Sequence, residues 1–276
     1  MPGSVRRFGA AVVAVVPLAL SAVTADGGFS VDFMARAYFE SAYLSSGGVL
    51  SYTEPVAEQY AVVTANFRDY GRVWIDAWVC SALNDQTDEV HRRYGYICED
   101  TLMYGYDWKF SDRIKLTTSA GALWDFLFGY ENETDFPIYW YAHQYLHNPY
   151  LTPFWNGLGK TDHKGKVRIR GGVQRTFSPF KSLTITPFVD TTWGDKARFE
   201  ANYGEEPDHD FLGGALMFAT FGLTAEWRFA EHWNLWGRYR QYIVLDSQAW
   251  DLVENRDSPT AETVFPIFGI GVGCRF

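Results

Sequence analysis

The last segment of the chain alternates between two kinds of residue up to its final position. One parity carries Val264, Pro266, Phe268, Ile270, Val272, Cys274 and Phe276, and the other carries Phe265, Ile267, Gly269, Gly271, Gly273 and Arg275. Successive side chains of a β-strand point to opposite faces, so a period of two predicts a strand. This strand would have one apolar face and one face of mainly small or charged residues.

Similar alternation recurs along the chain and predicts about twelve strands. They lie near 29–43, 56–67, 72–82, 94–110, 113–128, 134–146, 150–159, 164–177, 182–193, 213–229, 233–245 and 262–276. Most reach the roughly 9–11 residues that a tilted strand needs to cross a bilayer. In 213–229 the predicted apolar face is Ala215, Met217, Ala219, Phe221, Leu223, Ala225, Trp227 and Phe229. Apolar residues on one face and charged residues on the other are typical of a barrel wall between lipid and lumen.

The connections between these segments alternate in length. Most joins after odd-numbered strands are long, at 44–55, 83–93, 129–133, 194–212 and 246–261, and the others are short. Most short joins follow an aromatic residue: Phe67, Phe110, Phe177 and Phe229. The pattern predicts an all-β fold, an antiparallel transmembrane β-barrel with short turns on the periplasmic side and long loops outside. Ten strands remain an alternative, because three prolines interrupt residues 134–163.

The first 25 residues are typical of an export signal. Arg6 and Arg7 precede an apolar run, and Val23-Thr24-Ala25 is a small-residue cleavage site. We therefore expect a signal peptide at 1–25 and a barrel domain at 26–276, located in the cell outer membrane. The formal net charge of −9 argues against nucleic-acid binding.

The chain also resembles a family of porins from Gram-negative outer membranes. The resemblance rests on Ala42-Tyr43-Leu44-Ser45-Ser46-Gly47-Gly48-Val49-Leu50-Ser51, on Glu54-Pro55-Val56 with Gln59, and on the last strand. It implies that Phe276 is part of a signal read by the outer-membrane assembly machinery. It implies no substrate and transfers no functional residue.

The polar parity of several strands provides candidates for the wall of a pore. The candidate lumen-lining residues are Arg36, Glu40, Lys166, Arg168, Arg170, Arg228, Arg238 and Arg240, with Arg275 on the last strand and carboxylates at Asp32, Glu58, Asp76, Asp107, Asp125 and Asp190. The arginines could attract anionic solutes. Alternatively, the charges pair inside the barrel and fill it. The favoured function is a passive channel for small polar solutes.

Two other functions stay open. A closed structural barrel could contact membrane lipids and lipopolysaccharide through the acidic loops 194–212 and 246–262. A hydrolase is the third candidate, because Asp208-His209-Asp210 could form part of an acid–base site. The sequence predicts no catalytic residues, no cofactor and no metal site. His143 and His147 would lie about 13 Å apart on a strand, too far to share one metal ion. Gly269, Gly271 and Gly273 precede no helix, so they predict space for neighbouring side chains rather than a phosphate loop.

Three cysteines allow at most one intrachain disulfide. Cys80 and Cys98 flank the loop 83–93 on adjacent predicted strands, whereas Cys274 lies near the opposite end. The predicted bridge joins Cys80 to Cys98. A regular alternation would instead place these two side chains on opposite faces, so free thiols are the alternative.

Overall fold

The computed structural model describes residues 28–44, 50–52, 55–83, 96–128, 138–160, 167–195, 215–245 and 263–276. Its strands are β1 (Phe29–Glu40), β2 (Tyr43–Leu44), β3 (Leu50–Tyr52), β4 (Val56–Phe67), β5 (Gly71–Ala82), β6 (Tyr96–Lys109), β7 (Lys115–Phe128), β8 (Ile138–His147), β9 (Thr152–Lys160), β10 (Arg168–Gln174), β11 (Phe177–Phe180), β12 (Leu183–Gly194), β13 (Ala215–Arg228), β14 (Trp233–Val244) and β15 (Val264–Arg275). Among these residues, no helix is long and apolar enough to span a bilayer. The predicted signal peptide and most of the long joins lie outside the described residues.

Twelve of these strands form a closed antiparallel barrel, as the sequence predicts. Each pairs with its neighbours along the chain, β1 pairs with β15, and β10 pairs with β12. Phe33 and Phe276 exchange two backbone hydrogen bonds of 3.0 and 2.9 Å where the ends of the sheet meet. The hairpin of the segment 134–163 is present: Pro149 lies in the turn between β8 and β9, and Pro153 lies within β9, where it is paired with Val173. The ten-strand alternative is therefore wrong.

Local polar contacts fix the short turns at one end of the barrel, which we call the short-turn end. The Ser111 side chain accepts hydrogen bonds from the backbone N–H groups of Arg113 and Ile114. The Asn148 side-chain oxygen accepts hydrogen bonds from the backbone N–H groups of Tyr150 and Leu151 in the β8–β9 turn. Gly71 begins β5 with a φ of 87°, a conformation that residues with a Cβ rarely adopt. These turns explain why the sequence changes direction where the alternation stops.

The predicted faces agree with the burial of the side chains. Ile75, Phe268 and Ile270 are 51–58% exposed on the outside of the barrel, whereas Glu40 and Asp190 are each 2% exposed on its inside. The aromatic residues Phe67, Phe110, Phe177 and Phe229 are also exposed at the short-turn end. The outer wall is therefore apolar, and charged residues such as Glu40 and Asp190 are enclosed.

One predicted face is wrong because the ladder between β12 and β13 is irregular. β12 pairs Thr192 with Phe218 and Trp193 with Leu216, so Met217 has no partner on β12. This bulge reverses the alternation: Leu216 is 53% exposed, and Met217, predicted to face lipid, is fully buried.

The predicted strand 164–177 is divided in the structure. β10 ends at Gln174, and the short additional strand β11 continues the pairing with β12 beyond it. The interruption lies opposite Pro187, which has no N–H group to donate to the ladder. The predicted strand 29–43 is likewise divided, since β1 ends at Glu40 and Tyr43 belongs to the two-stranded β2–β3 sheet.

Candidate functional site

A cavity of about 870 Å³ lies inside the barrel. Strands β4 to β8 supply most of its wall, and β1 and β14 supply the rest of the charged side chains. It extends from Arg72 and Lys115 at the short-turn end to Glu40 and Arg240 in the other half of the barrel. The cavity therefore lies mainly against β4 to β8. We call the opposite side of the barrel interior, where the side chains of β1 and β14 contact one another, the filled flank.

One carboxylate organises the filled flank. Glu40, at the end of β1, accepts hydrogen bonds from Arg238 and from Arg240, the latter at 2.6 Å. The Glu40 side chain is 1% exposed, and the two arginines reach it from β14, across the intervening β15. The guanidinium of Arg238 also lies 4.8 Å from the ring centre of Trp236. Two cations therefore share one buried anion.

The glycines of β15 make room for these side chains, as the sequence predicts. A Cβ on Gly269 would lie 2.9 Å from a carboxylate oxygen of Glu40. A Cβ on Gly271 would overlap Tyr38, and one on Gly273 would lie 3.0 Å from Arg36. The side chains of β1 thus cover the inner surface of β15.

A second carboxylate lies beside this cluster. Glu58 accepts hydrogen bonds of 2.8 Å from the Tyr38 hydroxyl and from the Trp78 indole N–H. Glu58 is 4% exposed and faces the cavity. Both of these hydrogen-bond donors are neutral side chains, in contrast to the arginines that bind Glu40.

Further ion pairs lie elsewhere on the inner wall. Arg170 binds Asp190 through two nitrogens at 2.8 and 2.6 Å, which is a bidentate pair. Arg36 on β1 reaches Glu226 on β13 at 3.4 Å. Side chains therefore bridge strands that are not neighbours in the sheet.

Asp107 organises the short-turn end of the cavity. It binds Arg72 at 3.3 Å and Lys115 at 3.2 Å, and it accepts a 2.7 Å hydrogen bond from Thr117. Thr117 in turn lies 3.1 Å from His147 Nε2. Both cations at this end of the cavity therefore contact the same carboxylate.

The structure brings together only some of the residues proposed from the sequence. Arg238, Arg240 and Glu40 form one cluster, and Arg36 and Arg170 each pair with a different carboxylate. Arg168 is buried, at 8% exposure. Arg228 is exposed at the barrel end, where it donates to the Lys181 carbonyl at 3.5 Å. The remaining candidate residues at 166 and 208–210, and both acidic loops for most of their length, lie outside the described residues.

The cysteines predicted to form a disulfide are offset in the ladder. Cys80 pairs with Ile97, and Cys98 pairs with Val79. The backbone register therefore does not place Cys80 directly opposite Cys98. A bridge between them would need a local irregularity in β6. The disulfide stays a prediction that peptide mapping can test.

One feature of the inner wall was not singled out from the sequence. Tyr141, His143, Tyr145 and His147 alternate along β8 and all line the cavity. The sequence shows that these four residues share one face of the strand, but it does not show whether that face is directed toward lipid or toward the lumen. The pairing with β7 and β9 assigns these rings to the inside.

The same pairing places a serine, a histidine and an asparagine in one row. Ser119 is opposite His143, and His143 is opposite Asn156. Nucleophilic catalysis needs a histidine held by hydrogen bonds to the nucleophile and to an orienting group. Within the described part of the chain, His143 Nδ1 is buried and has no hydrogen-bond partner. The row therefore contains the residue types of a hydrolase site, but His143 Nδ1 lacks the hydrogen bond that such a site requires.

Comparisons with known proteins identify the fold. No family model and no curated protein matches the sequence. The fold is similar to that of an outer-membrane channel from Pseudomonas putida F1, with a TM-score of 0.52 and 10% identity over 89% of this chain and 95% of that one. The KdgM porin superimposes with a TM-score of 0.47 and 9% identity, over 89% of this chain and 99% of the porin. That second similarity is too low to carry an argument, and the first shows the fold alone.

Proposed function

We propose that this protein is a passive channel for small polar solutes in the outer membrane of a Gram-negative bacterium. The observation that carries the proposal is the 870 Å³ cavity, which persists beside the paired charges and extends along five consecutive strands. The apolar outer wall suits a lipid environment, and the fold is shared with an outer-membrane channel. Export would depend on the segment 1–25, and insertion on the assembly machinery of that membrane.

The ion pairs bear on the charge preference of such a channel. Arg36, Arg170, Arg238 and Arg240 each contact a carboxylate. Paired charges create a weaker field in the lumen than the same arginines alone. We therefore propose a channel with weak charge selectivity rather than an anion-selective one.

Conductance of the purified protein in planar bilayers tests the proposal. Slower gel migration after boiling first shows that the preparation contains folded barrel. Folded protein should then produce discrete current steps, and a salt gradient should give a reversal potential close to zero. Folded barrels that carry no current would contradict the channel and favour the closed barrel, whose surface would contact lipids and lipopolysaccharide.

A further inference from the structure

We propose that the lumen recognises neutral saccharides through the aromatic row of β8, defined as Tyr141, His143, Tyr145 and His147. This inference rests on the proposed channel function and names its solute class. The rings form a continuous series. The ring centres of Tyr141 and His143 are 4.2 Å apart, those of His143 and Tyr145 are 6.1 Å apart, and those of Tyr145 and His147 are 6.2 Å apart.

The aromatic row is long enough to contact more than one sugar unit. Four alternate positions span about 20 Å along an extended strand. The last three rings are roughly parallel, with interplanar angles of 21° and 26°, and Tyr145 also stacks on Phe154 of β9 at 5.8 Å. A solute that contacts these rings could therefore move from one ring to the next without leaving the wall.

The opposite wall supplies hydrogen-bonding groups. Four strands separate β8 from β1 in one direction and from β14 in the other, so the cluster of Glu40 with Arg238 and Arg240 lies across the lumen from the aromatic row. Glu58 extends this polar wall and lines the same cavity. Carboxylates accept hydrogen bonds and guanidinium groups donate them, so together they suit hydroxyl groups that do both.

This combination discriminates between solute classes. An ion would gain little from this wall, because the carboxyl groups of Glu40 and Glu58 lie beside Arg238 and Arg240 and offset much of their charge. A purely aromatic solute would use the rings but leave the polar wall unmatched, which is unfavourable in a desolvated site. A sugar ring has an apolar C–H face and a hydroxyl rim, so it matches both walls at once.

Current block by two neutral solutes of equal mass tests the inference. A disaccharide contains rings, whereas a polyethylene glycol of similar mass has none. Each would be added to single channels in a planar bilayer, and the half-blocking concentration would be measured. The disaccharide should block at the lower concentration. Equal or stronger block by the glycol would overturn the inference and leave the channel function intact, whereas absence of any current would contradict the channel itself.

Two matched substitutions locate the effect. Tyr145→Leu replaces a ring of the aromatic row by a smaller apolar side chain. It should raise the half-blocking disaccharide concentration about fivefold, the order of one lost ring contact. Trp140→Leu removes a ring from the outer face of the same strand, where Trp140 is 42% exposed, and should change nothing. Tyr145→Phe keeps the ring, so the disaccharide should block this variant at the same concentration as it blocks the unaltered protein. Equal effects of Tyr145→Leu and Trp140→Leu, in protein that shows the folded gel migration, would overturn the proposed recognition.

Discussion

Replacing Glu40 by Gln should destabilise the barrel more than any other single change to its ion pairs. Glu40 is the only side chain seen to contact both Arg238 and Arg240 among the described residues. Glutamine keeps the size of the side chain and one oxygen acceptor, but it removes the negative charge. Two neighbouring cations would then remain inside the barrel without an anion, and they would repel each other.

The expected cost follows from the burial of the group. Removing one partner of a buried ion pair typically costs 3–5 kcal/mol, because the other charge stays desolvated. The arginine side chains are 23% and 13% exposed, so water in the lumen offsets part of that penalty. We therefore expect a loss of about 3 kcal/mol in the free energy of unfolding, at the lower end of the range.

Urea unfolding of the protein in lipid vesicles, followed by tryptophan fluorescence, measures this loss. The control is Glu226→Gln, which breaks the pair with Arg36, whose side chains are 29% and 36% exposed at 3.4 Å. A partly exposed pair at this distance should contribute at most about 1 kcal/mol. If the two substitutions cost the same within about 0.5 kcal/mol, the reasoning from burial is wrong. In the proposed channel, Glu40→Gln should also shift the reversal potential toward anions, since it leaves two positive charges on the wall.

Three further predictions concern other parts of the wall. Gly271→Leu should lower the folded fraction seen by gel migration, because a side chain there would overlap Tyr38, and a normal fraction would contradict the packing on β15. Deletion of Phe276 should reduce the folded amount in the outer membrane, because it removes two backbone hydrogen bonds that close the barrel; an unchanged amount in membrane fractions would argue against this role. Peptide mapping without reduction should show whether Cys80 and Cys98 are joined. A linked peptide would confirm the predicted bridge and imply a local irregularity in the β5–β6 register, and a Cys98 peptide alkylated without reduction would reject it.

The sequence was sufficient for the strands and for most of the faces. Alternation is a local property, since each residue of a barrel wall meets either lipid or lumen. Asp76 and Arg238 could therefore be assigned to the inside from their neighbours alone. The short turns were equally local, because residues such as Ser111 and Asn148 satisfy the backbone groups of their own turn.

The errors occur where one strand depends on another. The bulge at Met217 inserts a residue relative to β12, and nothing in the sequence of β13 alone marks it. The break after Gln174 is caused by a proline on the partner strand rather than by its own residues. In one case a strand carries an extra residue relative to its partner, and in the other the partner strand lacks an N–H donor. Both causes involve a second strand, so the alternation pattern of a single segment cannot predict them.

The partners of the arginines could not be predicted for a related reason. Arg238 and Arg240 belong to the inner face of β14 by parity, which is why they first suggested an attractive wall for anions. Their partner lies on β1, about 200 residues earlier in the chain, and reaches them only because β15 between them carries glycine. The glycines and the arginines therefore act together. Because β15 carries small residues, the Glu40 carboxylate can reach over this strand and neutralise part of the positive charge of Arg238 and Arg240. The same packing confines the side chains of the filled flank to one side of the lumen, which leaves the aromatic row of β8 facing an open cavity.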